Sequence, residues 1–229
     1  MTIAVSAPSR VRARLRGAPD GPVPVVHRGR DAVYVDVAGR CVGVVGRRAT
    51  AVPCALRTTC ERLDGPDGLA PTTAHLADGV LHLDGVPLVV GRIVDVRVPR
   101  VPGLAPIRGS HVPDVRAMVG RGEGLTPYDD DVLCGWLAVH RAAGVSTPEV
   151  DGAVRECLTR TTLLSATLLD CALHGEVVPE FAAFVAALGT PAETAAAAAL
   201  SAVGHTSGAG LLAGARLALA DLRPVRGAA

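Results

Sequence analysis

The chain has 229 residues, 49% of them hydrophobic and 20% charged, with a formal net charge of +1. Such a chain can bury a sizeable core, and its balanced charge draws it neither to nucleic acid nor to an anionic membrane. All 23 basic residues are Arg, so a lysine Schiff base, a phosphate-loop lysine and a lysine general base are excluded. The aromatic set of Tyr34, Tyr128, Trp136, Phe181 and Phe184 is too small for a base-stacking platform. Cys41, Cys54, Cys60, Cys134, Cys157 and Cys171 form no Cys-x-x-Cys pair. No apolar secretory stretch follows the Arg10–Arg16 run, and no run of 18 apolar residues exists. The thiols are read as reduced, the location as cytoplasmic, and no membrane partner is expected.

In chain order, the Arg10–Arg16 run reads as a solvated or mobile N-terminus. From about residue 22 to 107 the chain is rich in Val and in turn signals. Ala32–Val37, the turn Ala38-Gly39-Arg40 and Cys41–Val45 predict one hairpin. Val80–Leu83 and Val86–Val90 around Asp84-Gly85 predict a second, because Asp-Gly supplies the positive φ angles of a tight turn. A short helix is expected near Cys54–Leu63, a further strand over Ile93–Val98, and a linker carrying Pro99, Pro102 and Pro106. From Val112 the period turns helical, with Pro near helix starts and Gly past their ends: Pro127–Ala143, one or two helices over Pro148–His174, then Pro179–Leu188, Pro191–Val203 and Gly208–Leu222. The fold class is therefore α+β: a β-rich N-terminal part of antiparallel hairpins over residues 1–107, then a helical bundle over 108–229.

The densest chemistry lies in Gly120–Gly135, G-R-G-E-G-L-T-P-Y-D-D-D-V-L-C-G. Thr126 suits an N-cap, Pro127 the first helical position and Asp129 a bond back to the cap. Gly120, Gly122 and Gly124 let backbone N–H groups approach a ligand, and a helix N-terminus favours an anion. The loop is neither a phosphate-binding loop with Gly-Lys-Ser/Thr nor a dinucleotide fingerprint. Successive helical residues point about 100° apart, so at most two of Asp129, Asp130 and Asp131 share one ligand. Three adjacent acids can bind Mg²⁺, but no second acidic cluster supports them; neither metal nor cofactor is assigned. The second segment, Gly204–Gly214 (G-H-T-S-G-A-G-L-L-A-G), is another small, polar turn feeding a helix. Thr206 or Ser207 can cap it, and Gly210 and Gly214 lie on one face and permit close helix packing. Elsewhere, Asp170 and His174 read as a surface pair, Thr161, Thr162 and Ser165 as hydroxyls bonding back to the preceding turn, and Cys134 as a buried structural thiol.

Gly122–Gly135 (GEGLTPYDDDVLCG) resembles the Gly-x-Gly-Leu-Thr-Pro-Ser-Gly-Asp-Asp-x-Leu-x-Gly signature of the AllH-like proteins, a subunit family of oxamate carbamoyltransferase. Gly204–Gly214 is similar to that family's second signature, and the resemblance spans roughly Val112–Leu222. Tyr128 and Asp129 stand in place of Ser-Gly, and Gly210 stands where many members have Asp. The resemblance implies carbamoyl transfer between phosphate and an oxamate-like amide, shared among unlike subunits. It places Asp130, Asp131 and His205 as candidate catalytic residues. Gly122, Gly124, Thr126, Thr206, Ser207 and Gly208 become the residues holding carbamoyl phosphate or an oxamate-like anion. The alternative is a non-catalytic binding or assembly module, which the absence of a strong nucleophile and of a lysine clamp favours.

Overall fold

A computed structural model of the chain describes residues 2–63, 72–107 and 112–224. It divides into two compact units, Met1–Asp95 and Val96–Ala229. The expected division after residue 107 borders residues 108–111, which lie outside the described residues.

The first unit is built on strands β1 (Ile3–Pro8), β2 (Gly21–Val23), β3 (Val25–Arg28), β4 (Ala32–Asp36), β5 (Cys41–Val45), β6 (Ala55–Arg57), β7 (Ala74–Ala77), β8 (Val80–Leu83) and β9 (Val86–Val94). They form one sheet in the order β2-β7-β8-β9-β1-β6-β5-β4-β3. The two outermost strands are separated in sequence by Pro24 alone, and the sheet curls until it is nearly closed. Both expected hairpins are present, with Ala38 and Gly39, and Asp84 and Gly85, at positive φ. Hairpins describe only part of the sheet, because β1 runs parallel to β9 and β5 parallel to β6.

Three expectations fail here. The N-terminus is ordered: Ile3, Val5 and Ala7 alternate into the core, and Ser9–Gly17 forms helix α1. Val11 and Leu15, one turn apart, bury against the sheet, and Arg12 and Arg14 between them are half-buried. The segment near Cys54 is a strand; the run Cys54, Ala55, Leu56 is buried throughout, and so short an apolar run does not reveal its period. Ile93 and Val94 end β9, and Ile93–Val98 is no separate strand.

The second unit holds β10 (Leu104–Pro106), α2 (Val115–Met118), α3 (Tyr128–Ala143), α4 (Pro148–Cys157), α5 (Leu163–Leu173), α6 (Pro179–Ala187), α7 (Glu193–Ser201), α8 (Ser207–Ala220) and β11 (Leu222–Pro224). The proline-bearing linker thus contributes a strand, β10, which pairs antiparallel with β11 just after the last helix. Pro148–His174 is two helices, broken by a 3₁₀ turn at Leu158–Arg160. Gly144 closes α3 in the left-handed conformation at φ 72°. Glycines set the crossing of α3 and α8. A Cβ on Gly135 would lie 2.1 Å from the Leu211 carbonyl oxygen, and one on Gly214 only 1.8 Å from that of Val132. No described helix is long and apolar enough to cross a membrane.

Candidate functional site

The α3/α8 crossing brings the two glycine-rich segments together. At its N-terminal end the Thr126 and Ser207 hydroxyls are hydrogen-bonded at 2.8 Å, across 81 positions of sequence. Thr126 therefore does not cap α3; Pro127 holds that position without a side-chain cap bond. Asp129 likewise makes no cap bond and lies 3.6 Å from the guanidinium of Arg121.

The next two acids face different neighbours, as the 100° helical step requires. Asp130 is fully buried. Its Oδ1 accepts the Gly120 N–H at 2.8 Å, and its Oδ2 accepts the hydroxyls of Thr161 at 2.5 Å and Ser165 at 2.6 Å. Thr161 and Ser165 thus reach across to α3 and do not bond back to their own preceding turn. Thr162 caps α5 and also donates to the Leu125 carbonyl. Four side chains therefore tie the glycine loop to α3 and α5. Gly120 must be glycine there: at φ 83° a Cβ would sit 2.3 Å from the Arg160 carbonyl oxygen.

Asp131 is 4% exposed and sits beside the Thr126–Ser207 pair. Burial pushes its carboxyl from 3.8 up to about 7; the Ser207 and Thr126 hydroxyls oppose that rise, and the charge of Asp130 adds to it. Its Oδ2 has no hydrogen-bond partner among the described residues. A buried carboxyl oxygen without a partner costs free energy, which marks this position as a functional candidate. Cys134, one turn on, is buried, and its thiol is held well above its usual range, chiefly by burial and then by the charges of Asp131 and Asp130. That is the environment of a structural thiol.

The remaining candidates fall into two groups. Gly122 and Gly124 are exposed at positive φ, and Gly122 lies so close to the start of α3 that a Cβ would be 2.6 Å from the Tyr128 nitrogen. Among the described residues, the N–H groups of Gly122, Gly124 and Ser207 meet no acceptor. Gly208 is different: its N–H donates to the Val203 carbonyl at 2.9 Å, and a Cβ would stand 2.0 Å from the Leu200 carbonyl oxygen. His205 and Thr206 are exposed in the turn before α8, and Thr206 holds the N-cap position without a side-chain cap bond. No hydrogen bond ties either side chain to the Asp131 cluster. Among the described residues, no group of three or more His, Cys, Asp or Glu side chains is placed to hold a metal ion. His174 turns its Nδ1 to the main-chain carbonyl of Asp170 at 2.7 Å.

The sequence marked Asp130, Asp131, Thr126 and Ser207 but not the partners Thr161 and Ser165, whose bonds to Asp130 span 31 and 35 positions. Two hydroxyls four apart at the entrance to a mostly apolar helix are the available signal, and spacing alone does not say where they point. No solved structure matches the chain. Residues 118–219, which carry both glycine-rich segments and the whole Asp131 cluster, match the family model described as oxamate carbamoyltransferase subunit AllH.

Proposed function

We propose that this chain is a carbamoyltransferase subunit that holds a small anion, carbamoyl phosphate or an oxamate-like carboxylate, where α3 and α8 begin. The observation that carries the reading is the Thr126–Ser207 contact at 2.8 Å beside an unpartnered Asp131 oxygen. The two glycine-rich segments thereby share one locus, and two helix N-termini converge on it. The N–H groups of Gly122, Gly124 and Ser207 are the donors this reading assigns to the anion, together with the Thr126 hydroxyl. Fixed amide dipoles would also stabilise charge developing on the carbamoyl oxygen during transfer. Asp130, with its oxygens already bonded within the protein, shapes the loop. Gly208 gives α8 its close approach to the end of α7. His205 and Thr206, exposed beside the site, are assigned proton transfer and a flanking contact. The reaction needs no covalent nucleophile and no cofactor of its own. The family match, to a carbamoyltransferase subunit, supports partner subunits; a cytoplasmic setting and a place in purine or allantoin breakdown belong to the proposal itself.

The assay is phosphorolysis of oxalurate by the chain alone and with co-expressed partner subunits. Turnover that falls at least tenfold in Asp131→Ala supports the reading, and no turnover with any partner combination refutes it. The second reading, a non-catalytic assembly module, draws on Gly208 and Gly210, whose N–H groups are already bonded to Val203 and Thr206. It predicts that Ser207→Ala changes complex formation and leaves ligand affinity unchanged.

A further inference from the structure

We infer that Asp131 works as a neutral carboxylic acid, kept so chiefly by its burial, donating a hydrogen bond from Oδ2 to an oxygen of the bound anion, and that Asp130 is the positioning residue whose charge adds to that effect. The inference rests on the binding reading above and adds a chemical role that the reading leaves open. Two carboxyls occupy adjacent buried positions, 0% and 4% exposed. Asp130 receives one amide and two hydroxyl hydrogens, a donor set that satisfies a carboxylate. Among the described residues, the hydroxyls of Thr126 and Ser207 are the hydrogen-bonding groups beside Asp131, and its second oxygen is unpartnered. The nearby guanidinium of Arg121 is engaged by Asp129. The other titratable groups around α3's first turns are the exposed Tyr128, whose ring lies with Asp131 against Gly210, Cys134, which is a neutral thiol, and the exposed His205 of the turn before α8. Burial disfavours a second negative charge beside the fully bonded Asp130 carboxylate, so the less supported carboxyl keeps its proton. A protonated Oδ2 needs an acceptor, and an anion's oxygen supplies one. An ionised Asp131 would instead repel an anion and select an amine or an amide N–H. The ligand group that meets Asp131 is therefore a carboxylate, phosphate or carbonyl oxygen.

The test uses the full chain labelled with ¹³C at the aspartate carboxyls. One carboxyl resonance is expected to titrate near neutrality, to vanish in Asp131→Asn and to move to lower pH in Asp130→Asn. An Asp131 resonance that titrates below pH 5 overturns the inference, and the wild-type titration decides even if Asp130→Asn does not fold. The second arm is calorimetry with oxamate, whose carboxylate keeps its charge between pH 6 and 8.5. Affinity should drop at least tenfold across that range in the parent. It should become independent of pH in Asp131→Asn, whose amide still donates, and be lost in Asp131→Ala. Tighter binding at high pH, or loss in Asp131→Asn, overturns the inference. Absence of oxamate binding at every pH refutes the substrate reading and leaves the carboxyl titration to judge the protonation state.

Discussion

At the scale of single residues, Asp130 and Asp131 show how neighbouring identical side chains acquire different characters. One points at the α5 hydroxyls and the Gly120 amide, the other at the α8 entrance. The difference has a consequence for stability. In the unfolded chain Asp131 titrates at its ordinary 3.8; in the folded chain it titrates at about 7. Below 3.8 both states hold the proton and the folded state suffers no penalty. As pH rises between those values the unfolded chain releases a proton that the folded chain retains, so stability falls with pH across the window and levels off above it. Asp131→Asn removes this slope. Its gain over the parent should be about 4 kcal/mol at pH 8 and should shrink towards pH 4, as measured by chemical denaturation. Parallel pH profiles for parent and variant would show that the carboxyl is not raised.

At the scale of elements, the α3/α8 crossing is decided by glycine. Gly135 and Gly214 admit the opposing backbone where any side chain would collide with a carbonyl oxygen. A methyl group there cannot be absorbed by a rotamer change, because its neighbour is backbone. Gly214→Ala should cost about 3 kcal/mol or more, a fall of roughly 10 °C in melting temperature. Gly124→Ala meets open space and strains only a positive φ, so it should cost about 1 kcal/mol. Equal melting temperatures for the two variants would contradict the packing account. This crossing was legible in part: the i, i+4 spacing of Gly210 and Gly214 announced a small-residue face. The partner of that face was not legible, because nothing in Gly135's own surroundings states which helix it meets. Helix ends were well marked by Pro and by left-handed glycines such as Gly144. Strands β1 and β10 were hidden, one ahead of an arginine-rich helix and the other among prolines, where composition argued against a strand.

At the scale of the whole molecule, the sequence reading anticipated a β-rich first part and a helical second, and missed how the sheet is wired. Hairpins are local and leave turn signals; the parallel pairings of β1 with β9 and β5 with β6 join distant or looped segments and leave none. The candidate site lies wholly within the helical unit and within the residues that match the AllH family. The site's residues were legible because glycine turns before helices have a direct physical meaning, whereas their meeting depended on tertiary packing. The decisive measurement is calorimetric titration of carbamoyl phosphate into the chain, alone and with the co-expressed subunits proposed above, in the parent and in Thr126→Val and Ser207→Ala. Saturable binding that weakens at least tenfold in both variants, without loss of folded structure, is the result predicted here. Binding of equal strength in all three proteins, or none in the parent complex, would contradict it.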